Sequence, residues 1–255
     1  MRVETQRTDA GQAAVESALT LPMLVFLVLG TLQLFMLLQA KVMAQYAAFQ
    51  ANRVGSVMHG RCDAMTHAAL LALTPTLRSF MGPTWAGSPG QKLGAAFREV
   101  KDNSFAYLGW GAEDILWIIR ERPRFPGDDP VQAQREFDRL LNNVGQSPTR
   151  LELRVIFWCP LKIPFADWVF SRLALASFGL RDYVAQNPLM VRQTANWGRG
   201  PTRRPQAPIA VEYARRIAAK HYVFPIEVTS TMRMMSPVKI SEFNNPNCGN
   251  TPSSL

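Results

Sequence analysis

Residues 18–38 read ALTLPMLVFLVLGTLQLFMLL and contain no charged residue. As a helix this run would extend about 31 Å, which matches the roughly 30 Å hydrocarbon core of a bilayer. Five residues interrupt its apolar character: Thr20, Pro22, Gly30, Thr31 and Gln33. Membrane helices tolerate such residues. The run therefore predicts one N-terminal transmembrane helix rather than a buried helix of a soluble protein.

A cleaved secretory signal peptide is the alternative explanation of this N-terminus. Signal peptides have an apolar region of about 7–15 residues and a cationic start. Here the run is longer, and Arg2 and Arg7 are opposed by Glu4 and Asp9. Small residues do follow the run, within residues 43–48. Cleavage there stays open as an alternative to a permanent anchor.

The helical pattern continues beyond the apolar run. Val42, Tyr46 and Phe49 recur at positions i, i+4 and i+7, and His59-Gly60 supplies a glycine suited to a helix C-terminus. The whole helix would contain about 45 residues and extend about 68 Å.

The start of the apolar segment carries a recognisable motif. Residues 11–22 read GQAAVESALTLP, and this segment resembles the start of TadE-like proteins, which are pseudopilins of the tight-adherence (Flp) pilus systems. In that family and in type IV pilins a prepilin peptidase cuts after a glycine, and the fifth mature residue is a glutamate. The resemblance implies that Gly11 precedes the cut, that Gln12 becomes the N-terminus and that Glu16 is the position-five acid.

Two neighbouring positions bear on the resemblance. Pro22 matches a proline that the family commonly carries within the helix. Ser17 departs from it, because Flp-type sites usually have an aromatic residue after the glutamate.

Glu16 is also unusual on physical grounds. An ionisable group at the mouth of a hydrophobic segment is costly and needs a partner. Glu16 either reaches the lipid headgroups or pairs with another group, and the position of Gly11 favours the second. A mature α-amino group, with a reference pKa of about 7.7–8.0, would pair with Glu16 of a neighbouring subunit and fix the register of packed helices.

The remainder of the chain is predicted to be an α+β head, since 47% hydrophobic and 18% charged residues are globular values. Alternating or buried apolar patterns predict strands at residues 115–119, 151–157 and 224–234, and helical patterns occur at residues 64–80, 91–107 and 131–144. This order fits a small, mostly antiparallel sheet packed on the long helix. A long helix half in the membrane and half packed on a head is the architecture that the pilin resemblance implies.

We expect three parts along the chain. Residues 1–11 are a prepilin-type leader, residues 12–58 the transmembrane and N-terminal helix, and residues 59–255 a periplasmic head. The head ends in a loose polar tail at residues 244–255.

Residues 166–180 are apolar enough to raise the question of a second membrane span. Asp167, Arg172 and Arg181 interrupt them, and the uncharged stretch is too short to cross a bilayer. A core helix is expected, with an interfacial helix as the alternative.

The formal net charge is +9, and basic residues concentrate after this segment. Arg199, Arg203 and Arg204 form a candidate basic surface in a loop, and Arg215, Arg216 and Lys220 follow. Such a surface would dock on acidic partner subunits, anionic lipid or DNA, or else be a solvated loop. Nucleic acid is not expected, because only one tryptophan lies among these charges.

Catalytic signatures are missing from the sequence. It contains no P-loop, dinucleotide-binding fingerprint, nucleophile elbow or zincin helix. His59, Cys62, Asp63 and His67 cluster as metal ligands do, but chance clustering at a helix turn is favoured, so neither a metal nor a cofactor is expected.

Three cysteines are too few for a disulfide framework. In an oxidising periplasm one disulfide is expected, between Cys62 and either Cys159 or Cys248.

These observations predict a structural assembly protein rather than an enzyme: a minor pilin or pseudopilin matured by prepilin peptidase. It would be inserted in the inner membrane with its head in the periplasm, or extracellular within the pilus. Its expected partners are other pilin or pseudopilin subunits, the pilus assembly platform and membrane lipid. The alternative is a membrane-anchored periplasmic binding domain that does not polymerise.

Overall fold

The computed structural model describes residues 7–78, 87–123, 150–177, 207–243, 245 and 247–252. The helices are α1 (Arg7–Val57), α2 (Cys62–Leu77), α3 (Pro89–Val100), α4 (Ala166–Ser177) and α5 (Ala207–Ala218). The strands are β1 (Leu116–Arg122), β2 (Arg150–Pro160), β3 (Val223–Arg233) and β4 (Asn247–Cys248). Short 3₁₀ turns occupy Phe105–Leu108 and Ile240–Glu242. The chain has the predicted α+β fold with one long N-terminal helix.

The four strands form one sheet in the order β3-β2-β1-β4, and every neighbouring pair is antiparallel. Val155 at the middle of β2 lies opposite Ile118 of β1 and Val228 of β3. Ile118 in turn lies opposite Cys248 of β4. The predicted strands at 115–119, 151–157 and 224–234 are confirmed as β1, β2 and β3.

Helices cover both faces of the sheet. Leu151 of β2 lies beneath α1, where its backbone oxygen accepts a hydrogen bond from the Asn52 amide at 3.5 Å. Trp158, seven residues along the same strand, packs against Arg216 of α5, 4.4 Å from the ring centre. Side chains an odd number of residues apart on a strand point to opposite faces. β2 is therefore buried on both sides, which explains its continuous apolar run after Arg154.

α1 packs on the head through its small residues. Ala40, Ala44, Ala47, Ala48 and Ala51 are all fully buried. Small side chains let the helix approach α2 and the sheet closely, so the interface is packed without voids. The contact continues over the last five turns of the helix.

The large apolar residues of the same stretch face away from the head. Val42, Tyr46 and Phe49 are each about half exposed, at 57%, 49% and 45%. Their repeat correctly predicted that the helix continues. The face that contacts the head is the opposite one, because a close contact needs alanine and glycine rather than bulky side chains.

Two polar residues of α1 fix it to the sheet. The amide of Asn52 donates a hydrogen bond to Ser230 Oγ of β3 at 3.1 Å, and Asn52 is fully buried. The backbone oxygen of Ser56 accepts hydrogen bonds from the backbone nitrogens of Met235 and Ser236 at 2.9 and 3.0 Å. These bonds satisfy buried polar groups and set the position of the helix along the sheet.

Replacing Gly55 with leucine is expected to destabilise the head by about 1–3 kcal/mol, the usual cost of overpacking a core. A Cβ atom at Gly55 would lie 2.5 Å from Met65 Sδ and 2.9 Å from Leu151 Cδ2, so these two buried side chains would have to shift to admit leucine. Urea unfolding of the full chain in detergent, followed by tryptophan fluorescence, measures the change.

Gly94→Leu is the matched control for this substitution. Gly94 lies inside α3, and a Cβ atom there has no neighbour within 4 Å. Leucine is a better helix former than glycine by about 0.5–1 kcal/mol, so this variant should be as stable as the parent or more so. Equal losses for the two variants would contradict the close packing inferred at Gly55.

A disulfide between Cys62 and Cys248 joins the start of α2 to β4. It confirms the predicted bridge and selects one of the two predicted pairings. Cys159 is free and buried, and burial raises its pKa to about 12. The expected loose tail is wrong for Asn247–Cys248, because this segment pairs with β1 and is held by the disulfide.

Two predicted helices differ from the structure, and a third lies outside the described residues. The helix expected at 91–107 ends at Val100, because Asn103 has a positive φ of 54° and its side chain bonds both backbone groups of Leu116. The helix expected at 166–180 is buried on one face only, with Leu173 63% exposed. The helix expected at 131–144 lies outside the described residues.

Candidate functional site

The N-terminal half of α1 projects from the head as an exposed apolar helix. Leu19 and Met23 are both 72% exposed, and only 11% of the most apolar 18-residue window is buried. A core helix of a soluble protein would be mostly buried, so this helix is a candidate membrane anchor. Among the described residues, one helix is both long enough and apolar enough to cross a membrane, and it is α1.

The head first contacts α1 at Gly30 and Gln33. The side-chain oxygen of Gln33 accepts a hydrogen bond from the backbone nitrogen of Ile163 at 3.1 Å, and Gln33 is 1% exposed. A Cβ atom at Gly30 would lie 3.9 Å from Phe170 of α4. Two residues that interrupt the apolar run in the sequence are therefore contact positions for the head.

An exposed apolar stripe runs along α1 opposite the head. We call it the outer stripe, and it consists of Phe35, Leu38, Val42, Tyr46 and Phe49, each at least 45% exposed. These positions are spaced three or four residues apart and share one side of the helix. The outer stripe continues the exposed apolar surface of the N-terminal half past the level where the head begins.

The predicted processing and assembly residues lie at the far end of this helix. Gly11 and Gln12 fall within α1, which runs from Arg7 through the predicted cut without a break. Glu16 is exposed, and its backbone oxygen accepts a hydrogen bond from Thr20 Oγ1 at 2.9 Å. Fourteen helical residues separate Glu16 from Gly30, a distance of about 21 Å.

Comparison with known families assigns this helix. The family described as TadE-like protein matches residues 11–53. Those residues are a TadE-like segment. The match agrees with the motif at residues 11–22. No curated protein and no solved structure matches the chain.

The TadE-like segment coincides with the part of α1 that carries the three features described above. It includes the exposed apolar half, the outer stripe and the buried alanines up to Ala51. Most of the head lies outside the match. The head is therefore interpreted from its own geometry.

The head carries one described groove, of about 920 Å³, beside α5. Its walls combine aromatic, aliphatic and charged side chains, among them Trp110, Trp117, Val211, Glu113, Arg215 and His221. The His221 ring stacks on Trp110 with the ring centres 4.8 Å apart.

Charged groups at the base of this groove neutralise one another. Glu113 Oε1 lies 3.1 Å from both Arg215 Nη2 and His221 Nδ1. Arg216 is 1% exposed, and its Nε donates to Glu212 Oε1 at 2.7 Å. In the sequence Arg216 only follows the candidate basic surface of Arg199, Arg203 and Arg204; in the structure it is buried, and acids from α5 and from the segment before β1 surround it.

The ionisation of this cluster follows from burial and contact. Burial would raise the pKa of Glu212, but hydrogen bonds from Arg215 and Arg216 outweigh it and lower that pKa. Burial lowers the pKa of the Arg216 guanidinium, and hydrogen bonding to Glu212 opposes the shift. Glu212 and Arg216 are therefore ionised and paired with each other at neutral pH, as expected of a structural ion pair.

The His, Cys and Asp cluster suggested by the sequence does not form a metal site among the described residues. Cys62 forms the disulfide with Cys248 and so has no thiolate to bind a metal. His59 Nδ1 lies 2.8 Å from the Pro237 backbone oxygen. Within the described parts of the chain no three His, Cys, Asp or Glu side chains are placed to hold a metal ion. Arg199, Arg203 and Arg204 lie outside the described residues.

Proposed function

We propose that the chain is a minor pilin or pseudopilin of a tight-adherence pilus system. α1 anchors it in the inner membrane, the head lies in the periplasm, and a prepilin peptidase cuts between Gly11 and Gln12. The chain acts by assembling with other pilin or pseudopilin subunits and with the assembly platform, not by catalysis. The single observation that carries the proposal is that the TadE-like segment is a helix exposed where it leaves the head.

A permanent anchor is favoured over a cleaved signal peptide by the packing of α1. A cut within residues 43–48 would remove Ala40 and separate the rest of the buried alanine face from its N-terminal turns. Ala44, Ala47 and Ala48 are fully buried under α2 and the sheet. Such a cut would leave core residues of the head without their cover, at an unfolding cost of about 25 cal/mol per Å² of apolar surface exposed.

The outer stripe supports assembly with other subunits. A helix with one face packed on its own head and the opposite apolar face exposed has a second face left to bury. Its end nearest the membrane, at Phe35 and Leu38, meets lipid. In an assembled pilus the same face would pack against α1 helices of neighbouring subunits.

The mature chain is expected to begin at Gln12, with or without cyclisation to pyroglutamate. Intact-mass and N-terminal peptide mass spectrometry of protein purified from cells that contain the peptidase measures the start. Gly11→Leu, which removes the scissile glycine and leaves the exposed helix unchanged, should retain the leader.

Two other starting points would count against this proposal. An intact Met1 or Arg2 in wild-type protein, with the peptidase present, would remove the pilin assignment. A start near Ala48 would instead identify a secretory signal peptide.

The groove in the head favours the alternative function, a membrane-anchored periplasmic binding domain that does not polymerise. Trp110, Trp117 and Val211 give the groove an apolar wall that a partner could contact. The two functions differ at the N-terminus, because an anchor alone needs no processing at Gly11.

A further inference from the structure

A second apolar surface lies next to the point where α1 leaves the head. Phe165 in the turn before α4 is 76% exposed, and Trp168 and Leu173 of α4 are 50% and 63% exposed. The opposite face of α4 is buried through Ala166, Ala174 and Leu175. We call the exposed face of Phe165, Trp168 and Leu173 the α4 platform.

The composition of the α4 platform is that of an interfacial helix. Tryptophan is enriched at membrane–water interfaces, since its ring is apolar and its N–H is polar. Arg172 follows Trp168 by four residues on the same side of α4 and is half-buried, with its Nε buried and unpartnered, so a lipid phosphate could bind the outer end of its guanidinium. This apolar face with a basic residue is suited to an anionic bilayer surface.

The backbone holds Phe165 in an unfavourable conformation. Its φ is 67°, a left-handed value that is rare for a bulky side chain. Such positions cost free energy and concentrate at functional sites. The strained turn presents an aromatic ring to the outside rather than to the core.

The α4 platform lies at the level where α1 crosses the membrane surface. The turn before α4 is bonded to Gln33 through Ile163, and Phe170 lies beside Gly30. Counted from Gln12, the helix to Gly30 extends about 28 Å, close to the roughly 30 Å hydrocarbon core. This count places α4 at the bilayer surface rather than above it.

We propose that the α4 platform binds lipid at the bilayer surface, so that the head lies down on the membrane beside its anchor. The inference rests on the membrane insertion in the proposed function. Lipid is favoured over a protein partner because the platform is continuous with the exposed apolar surface of α1, including Leu34 and Phe35 at the same level. The head is then held in one orientation before it assembles.

Nitroxide labels on the full chain in phosphatidylethanolamine–phosphatidylglycerol nanodiscs test this arrangement. Single cysteines replace Leu173 on the platform, Val211 on α5 and Leu24 in the anchor. Val211 is the matched control, an aliphatic residue on a helix with 69% exposure. The native cysteines do not react, since Cys62 and Cys248 are paired and burial raises the pKa of Cys159 to about 12.

Oxygen partitions into lipid and a nickel chelate into water, so their relaxation effects report the surroundings of each label. Labels at Leu173 and Leu24 should respond severalfold more to oxygen than to nickel, and the label at Val211 should show the reverse. Water exposure at Leu173 with lipid exposure at Leu24 would overturn the platform and leave insertion standing. Water exposure at Leu24 would instead overturn insertion itself. Shielding of Leu173 from both reagents, with dipolar broadening between copies, would assign the platform to a second copy and overturn the lipid proposal.

Unlabelled protein gives an independent measurement on the platform. Trp168 should be quenched by dibrominated phosphatidylcholine, and Trp168→Phe should remove most of the quenchable emission. Equal quenching in the two proteins would contradict lipid contact at α4.

Discussion

Replacing Arg216 with alanine is expected to destabilise the head by about 3–5 kcal/mol, the usual cost of removing one partner from a buried ion pair. Its guanidinium bonds Glu212 at 2.7 Å and the backbone oxygen of Asp114 at 2.9 Å, and it covers the Trp158 ring at 4.4 Å. The variant leaves Glu212, whose side chain is 18% exposed, with one arginine partner instead of two. Urea unfolding of the full chain in detergent measures the loss.

Arg215→Ala is the matched control, because Arg215 is the next residue on α5 and bonds the same Glu212 carboxylate through two contacts of 2.7 Å. Its side chain is 53% exposed, and exposed pairs contribute about 0.2–1 kcal/mol. The loss should therefore be much smaller than at Arg216. Similar losses at both positions would show that burial does not distinguish the two arginines.

The contribution of Glu212 to the unfolding free energy should depend on pH. Because the pKa of Glu212 is lowered in the folded head, its contribution to stability is complete above the unfolded pKa. That contribution is lost as pH falls through the lowered folded value. The difference in unfolding free energy between the parent and Arg216→Ala should shrink in the same pH range.

The parts of the fold that sequence could predict are those set by local pattern. A 21-residue run without a charged residue predicts the α1 anchor because its length alone matches a bilayer. Alternation of apolar and polar residues predicts β2 and β3 because one face of each repeats every second residue.

The parts that sequence could not predict depend on contacts between distant residues. Gln33 and Gly30 interrupt the apolar run for no local reason, and only the approach of α4 explains them. The alanine face of α1 was missed because apolar patterns are judged by large side chains, whereas close packing selects small ones. The burial of Arg216 could not be predicted, since nothing adjacent in sequence indicates that Glu113 and Trp158 enclose it.

The candidate site divides in the same way. The motif from Gly11 to Glu16 is contiguous, so the sequence contains it completely. For the α4 platform, the sequence offered only the alternative that residues 166–180 form an interfacial helix. Its position beside Gly30, which places it at the membrane surface, required the folded arrangement.

Replacing Glu16 with alanine is expected to reduce recovery of the chain in sheared pili or cross-linked assembly complexes on the order of tenfold or more. A lost pair between a carboxylate and the α-amino group of a neighbouring subunit in a low dielectric accounts for a change of that size. Head folding should be unchanged, because Glu16 lies about 21 Å along the helix from the first head contact at Gly30. Membrane-fraction abundance, N-terminal start and assembly recovery are compared with the parent.

Glu16→Ala is not expected to impair membrane insertion or N-terminal processing, so a loss of assembly can be assigned to the carboxylate. Removing an acid from an apolar segment favours insertion, since a charge near a helix centre costs about 2.5–3.5 kcal/mol and less near its end. Gly11 is unchanged, so cleavage should survive. Ser17→Ala, at the next exposed position of the same helix, keeps the carboxylate and should assemble normally. A loss confined to Glu16→Ala therefore reports a contact made by the carboxylate in the assembly, whereas equal incorporation of both variants would reduce Glu16 to an acid that only reaches the lipid headgroups.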